Sequence, residues 1–175
     1  MSSFSIAFQP DGRNALDLSC VSIRLDAKFN RKRLPENFEA HINSSWEEQR
    51  AQSPWLWNGT KFRYAGHEYD NDKNHLVVFL GITDYKAFLG TNCSPKCTVI
   101  SQLGVTDHDD TQAYMSDPVG VGALLLTSDD HVVLIKRSMK VGEEKGKLDL
   151  PGGHPEPMVS QFSFSQTECG KTHSI

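Results

Sequence analysis

The 175-residue sequence predicts an α/β protein of the α+β kind, and three observations carry that expectation. Apolar residues alternate with polar ones at Phe4, Ile6 and Phe8 and again at Val21, Ile23 and Leu25, as in half-buried strands. Phe38, His41, Ile42 and Trp46 recur at helical spacing instead. Two further apolar runs, Pro118–Leu126 and His131–Arg137, flank the turn residues Thr127-Ser128-Asp129-Asp130.

In chain order, the first alternating pair brackets Asp11-Gly12, a turn signal, and predicts a hairpin between Ser3 and Phe29. A helix of about four turns is expected from Leu34 to Gln52, with Pro35 at a first helical position and the stop at Ser53-Pro54. After a turn holding Trp55 and Trp57, strands are expected at Lys61–Ala65 and His75–Leu80, joined by Asn71-Asp72-Lys73-Asn74. Thr83 and Asp84 offer an N-cap to a short helix with Tyr85, Phe88 and Leu89, ending at Gly90-Thr91-Asn92. The stretch from Gly104 to Tyr114 reads as a polar loop or the start of another short helix. The hairpin of Pro118–Leu126 with His131–Arg137 follows. Next come a charged loop from Ser138, a short strand at Lys147–Leu150, and the turn Pro151-Gly152-Gly153-His154-Pro155-Glu156-Pro157. Beyond Met158 no periodicity is left, which predicts an unpacked tail.

Length allows one domain, or one with a small appendage, at roughly 100 to 200 residues per domain. The 18 basic and 22 acidic residues give a net charge of −4, which argues against a nucleic acid or an anionic membrane held by bulk charge. No run approaches the roughly 20 apolar residues of a membrane span, and the first ten residues lack the pattern of a secretory signal. Four cysteines do not make a disulfide framework. Cys93-x3-Cys97 could open a zinc site, but no second pair of ligands stands at a matching spacing.

A strand hairpin ending in Lys136-Arg137, then a loop, then a strand running into Pro-Gly-Gly-His-Pro-Glu, is the ordering that precedes the catalytic helix of Nudix hydrolases. Six strings occur in order: Pro54–Trp57, Lys61–Arg63, Phe88–Asn92, Asp110–Tyr114, Asp117–Gly122 and Leu150–Pro157. Together they make the chain resemble the UDP-sugar pyrophosphatases of that superfamily over about residues 1–157. The resemblance implies Mg²⁺-dependent hydrolysis of UDP-glucose or UDP-galactose, UDP-glucose giving UMP and glucose 1-phosphate, in the cytoplasm or nucleus. It also implies a division into an N-terminal α/β subdomain (1–115), the first part of a Nudix-type mixed sheet (116–157) and a divergent tail (158–175).

Hydrolysis of a pyrophosphate needs cations that offset its charge and generate hydroxide near neutral pH, and the family holds them on glutamates of a helix after the Gly-Gly turn. Here the sequence departs from the pattern. Six residues on from Gly152 or Gly153 stands Met158 or Val159, and Glu168 is the one acidic residue after Glu156. One carboxylate does not organise an octahedral Mg²⁺ ion together with a pyrophosphate, so no catalytic or metal residue is assigned and little or no turnover is expected. The alternatives are a non-catalytic uridine-nucleotide-binding module or a non-functional isoform.

The substrate side is better represented. Arg137 has the planar fork of donors that suits a phosphate, against a solvated strand end as the alternative. Trp57 and Tyr85 could stack on or edge the uracil ring, or equally belong to a core. Asp149 lies out of phase with Leu148 and Leu150, faces away from their core, and could accept from sugar hydroxyls. Gly142 could offer a backbone group to the base. His154 and Glu156 sit in a turn stiffened by two prolines, which could place an imidazole on the sugar or phosphate and a carboxylate near the metal.

Overall fold

The computed structural model describes residues 6–10, 15–139, 141 and 146–157. It has mixed α and β structure. A central sheet has the order β1-β3-β2, with β1 Val21–Leu25, β2 Thr60–Asp70 and β3 His75–Asp84. Strands β2 and β3 form the hairpin expected around Asn71–Asn74. Both run further than expected. Gly66, at φ 132°, takes up a bulge that shifts the register between Tyr64 and Gly66, so β2 continues to Asp70 instead of stopping at Ala65.

Among the described residues the expected N-terminal hairpin is not seen. Phe4 and the Asp11-Gly12 turn lie outside the described residues, and Ile6 and Phe8 are not in a strand. Instead β1 pairs in parallel with β3, Val21 opposite Leu76 through Leu25 opposite Leu80. Alternation identifies a half-buried strand but not its partner, and a parallel partner lies a crossover away in sequence.

The crossover contains α1, Glu36–Gln52, which starts one residue after Pro35 and buries Ile42 and Trp46. Helix α2, Tyr85–Gly90, is capped by the Asp84 carboxylate, which accepts the Ala87 N–H at 2.7 Å. Helix α3, Cys97–His108, was not expected at that position. Cys97 and Leu103 turn one stripe of it onto a core of Leu34, Ile42, Ile100, Tyr114 and Met115.

Arg63 fastens that core to the sheet. It is buried, and its three donor groups reach the carbonyls of Met115 (2.9 Å), Phe29 (2.8 Å) and Gln112 (2.6 Å). Burial lowers its proton affinity from the ordinary value, and the nearby Asp117 and Asp110 charges oppose that shift. Asn92 fastens the next segment, its side-chain oxygen accepting from the N–H groups of Ser116 (3.0 Å) and Asp117 (3.1 Å).

Residues 117–119 then lie along β2: Tyr64 N–H donates to the Asp117 carbonyl and Val119 N–H to that of Phe62. From there the chain forms two small ladders, β4 (Val121–Gly122) with β7 (Gly152–Gly153) and β5 (Ile135–Lys136) with β6 (Leu148–Asp149). The expected hairpin of Pro118–Leu126 with His131–Arg137 survives only near its tip. Leu126 bridges Val132, and the Thr127 and Val133 N–H groups reach the His131 and Leu125 carbonyls. The apolar strand residues there, including Leu124, Leu126, Leu134 and Leu148, are exposed. Without a packed face, little holds a longer ladder together.

Candidate functional site

Gly59 gathers residues from three parts of the chain. Its N–H donates to the Trp57 carbonyl, and its own carbonyl accepts the Tyr85 N–H at 3.0 Å. A methyl group placed on Gly59 would lie 3.0 Å from Glu156 Oε1 and 3.1 Å from the Trp57 ring. A Cβ here would push the indole and the carboxylate back by a few tenths of an ångström, so glycine lets both approach the backbone closely. Trp57 is 63 % exposed, so a broad aromatic face is open to a ligand.

Tyr85, the first residue of α2, is half-buried and stands edge-on to Trp46, with ring centres 6.2 Å apart. It therefore serves the core on one side. Phe88, one turn on, lies 6.3 Å from Tyr85 and 6.3 Å from His154. A row of rings thus leads from the helix start to the Gly-Gly-His turn.

Glu156 reaches back 95 positions to β2, where Lys61 Nζ donates to its Oε1 at 2.8 Å. The expected carboxylate near a metal is thus an ion-paired one. Arg137, the residue after β5, reaches diagonally to Asp149, which pairs with Ile135 in the β5–β6 ladder, and its Nη1 donates to Oδ2 at 2.9 Å. No core lies beneath Leu148, which is 67 % exposed, so the expected facing of Asp149 away from a leucine core does not describe this ladder. Gly142 lies outside the described residues.

Next to His154 opens a cleft of about 690 Å³, lined by Arg63, Tyr64, Phe88, Asn92, Gln112 and Asp117 among others. Asp117 stands in its wall at φ 39°. Burial pushes its carboxyl above the ordinary range; the Asn92 hydrogen bond and the Arg63 charge oppose the shift without cancelling it. Lys61, Gly59, Asn92 and Asp117 were not singled out as site residues from sequence. The first two act through contacts with Glu156, more than 90 positions away in sequence, which no local spacing signals.

Among the described residues no group of three or more His, Cys, Asp or Glu could hold a metal ion. With Glu156 paired to Lys61, they do not fit an octahedral Mg²⁺ site. No described helix is long and apolar enough to cross a membrane.

No protein-family model matches the chain. Curated relatives do, and by them the chain resembles the Nudix hydrolases. It is 42 % identical over 142 residues to the human uridine diphosphate glucose pyrophosphatase NUDT22, an alignment covering 79 % of this chain and 46 % of that protein. The mouse protein of the same name is 41 % identical over 141 residues, with the same coverages. Nudix hydrolase 9 of Arabidopsis thaliana is 34 % identical over 186 residues, covering 96 % of this chain and 59 % of the relative. The chain spans about half the length of the curated relatives it matches.

Proposed function

We propose that this chain carries the substrate-binding side of a Nudix-type UDP-sugar pyrophosphatase and binds a uridine nucleotide without hydrolysing it at an appreciable rate. The observation that carries the reading is the convergence of Trp57, Tyr85 and Glu156 on Gly59. Three residues implied by the family resemblance, from separate segments, meet at one backbone position. The exposed indole face supplies the stacking surface a pyrimidine needs, and His154, reached from Tyr85 through the Phe88 ring, lies on the side toward which the rest of the nucleotide would extend.

The full reaction that the resemblance implies is hydrolysis of UDP-glucose or UDP-galactose, UDP-glucose giving UMP and glucose 1-phosphate, with Mg²⁺ supplying charge neutralisation. No step through that ion is assigned to the residues of this chain. Residues 1–115 act in this reading as the base-side subdomain and 116–157 as the first part of the Nudix sheet. For Arg137 to meet a phosphate, its pairing with Asp149 must open or be shared, which an anion carrying more charge than a carboxylate favours.

Titration with UDP, followed through tryptophan fluorescence and calorimetry, tests the proposal. Saturable binding below millimolar concentration is expected, with quenching that is lost in Trp57→Phe. Absence of binding at millimolar UDP would remove it.

A further inference from the structure

We propose that the cleft beside His154, walled by Asn92, Gln112 and Asp117, receives the hydroxyl groups of the sugar and sets which hexose is accepted. The assignment rests on the proposed UDP-sugar function and extends it to a part of the molecule not otherwise given a role.

His154 lines the cleft, and its ring lies one aromatic residue, Phe88, away from Tyr85 at the base end. A nucleotide whose base lies against Trp57 and Tyr85 therefore extends toward the cleft with its far end. The volume, about 690 Å³, falls within the range of about 300–1,000 Å³ usual for small-molecule sites.

The chemistry of the wall selects hydroxyls over phosphates. Asn92 and Gln112 carry amides, Tyr64 a phenol and His154 an imidazole, while Asp110 and Asp117 carry carboxylates. Sugar hydroxyls both donate and accept, which such a mixture satisfies. A phosphate needs cationic donors. Among the described residues Arg63 is the cation lining the cleft, and its Nε, Nη1 and Nη2 each donate to a carbonyl, of Met115, Phe29 and Gln112. Two carboxylates without a disengaged cation repel the charged part of the substrate and leave its neutral end as the fitting occupant.

The wall is also held in place before any ligand arrives. Asn92 donates to Asp117 Oδ1 at 2.7 Å while accepting from two backbone N–H groups. Turned so that its nitrogen faces Asp117, the Gln112 side chain donates to Oδ2 at 2.8 Å. The left-handed backbone at Asp117, rare for a residue with a Cβ, is held by these bonds, and the carboxylate keeps lone pairs for hydroxyl donors.

Calorimetry on the full 175-residue chain with UDP and UDP-glucose as probes tests the assignment, beside Gln112→Leu and Asp117→Asn, with thermal melts confirming folding. Gln112 is an exposed side chain whose contact with Arg63 runs through its backbone carbonyl, so its variant keeps the core intact. The expected result is UDP-glucose binding about tenfold tighter than UDP, with the ratio falling toward one in both variants. Saturation-transfer spectra of the unmodified chain should also show the hexose protons contacted as strongly as those of the ribose. Equal affinity for the two ligands, a ratio unchanged in Gln112→Leu, or a hexose without saturation would overturn the sugar subsite and leave the uridine site standing. Failure of UDP itself to bind would overturn both.

Discussion

Lys61 Nζ lies 2.8 Å from Glu156 Oε1, with the two side chains only 11 % and 22 % exposed. This pair ties the turn after β7 to the middle sheet and fixes where His154 and Glu156 stand relative to Trp57. Losing the Glu156 carboxylate leaves the largely buried Lys61 charge without this partner. Glu156→Gln is expected to destabilise the chain by about 1–3 kcal/mol, below the cost of breaking a fully buried pair. Lys61→Met added to it should recover part of that loss. Urea unfolding of the single and double variants measures both, and strictly additive losses would contradict the coupling.

The two glycines of the turn play unequal parts. A Cβ on Gly152 would sit 2.1 Å from the Val121 carbonyl oxygen, a backbone atom that cannot give way, whereas one on Gly153 meets nothing within 4 Å. Gly152→Ala should open the β4–β7 ladder at a cost of about 1–3 kcal/mol, and Gly153→Ala should stay within about 0.5 kcal/mol of the parent. Amide exchange at Ala123, whose N–H donates to the Pro151 carbonyl, reads the difference directly.

Two carboxylates give opposite pH dependences. Asp117 is pushed up chiefly by burial, so its folded form holds a proton more tightly than its unfolded form. Its contribution to stability is present below the unfolded pKa and is lost as pH rises through the folded one. Asp117→Asn should therefore gain on the parent as pH rises from about 4 to 7. Burial pushes Glu39 up as well, but the Arg31 hydrogen bond and charge, with the Leu34 N–H, outweigh it and hold the carboxyl below its ordinary range. Its contribution is present above the unfolded pKa and lost as pH falls through the folded one. Glu39→Gln should lower the melting temperature at pH 7 and have little effect near pH 3. Melting curves across that range for both variants check the two signs.

Trp57 should matter for binding more than for folding, because its ring is largely exposed. Trp57→Ala is expected to weaken UDP binding by about tenfold, corresponding to about 1–3 kcal/mol for base stacking on an aromatic side chain, with the unfolding midpoint nearly unchanged. A large drop in stability with unaltered UDP affinity would assign the indole to the fold instead.

Where signals were local, the sequence was informative. The Asn71–Asn74 turn, the Pro54 stop of α1 and the Asp84 cap of α2 all lie where residue chemistry places them. Pairing was less legible: Val21–Leu25 alternates as a strand should, yet nothing local distinguishes a hairpin partner from β3 in parallel. Helix α3 carries no local start signal: its first residue, Cys97, also reads as half of a Cys-x3-Cys pair, and no side chain caps its start. In fact Cys97, Ile100 and Leu103 repeat at three-residue spacing onto the core. At the candidate site, the resemblance supplied Trp57, Tyr85, His154 and Glu156. Gly59, Lys61 and Asp117 gain their significance from contacts that exist only once the chain has folded.

The most direct test of the account is release of UMP from UDP-glucose with and without Mg²⁺. It should be measured on this 175-residue chain beside a chimera that continues after Pro157 with the corresponding C-terminal part of the human relative. The account predicts Mg²⁺-dependent turnover by the chimera and little or none by the chain alone. Comparable turnover by the chain alone would contradict it and direct the search for metal ligands to Asp107, Asp109, Asp110, Glu156 and Glu168.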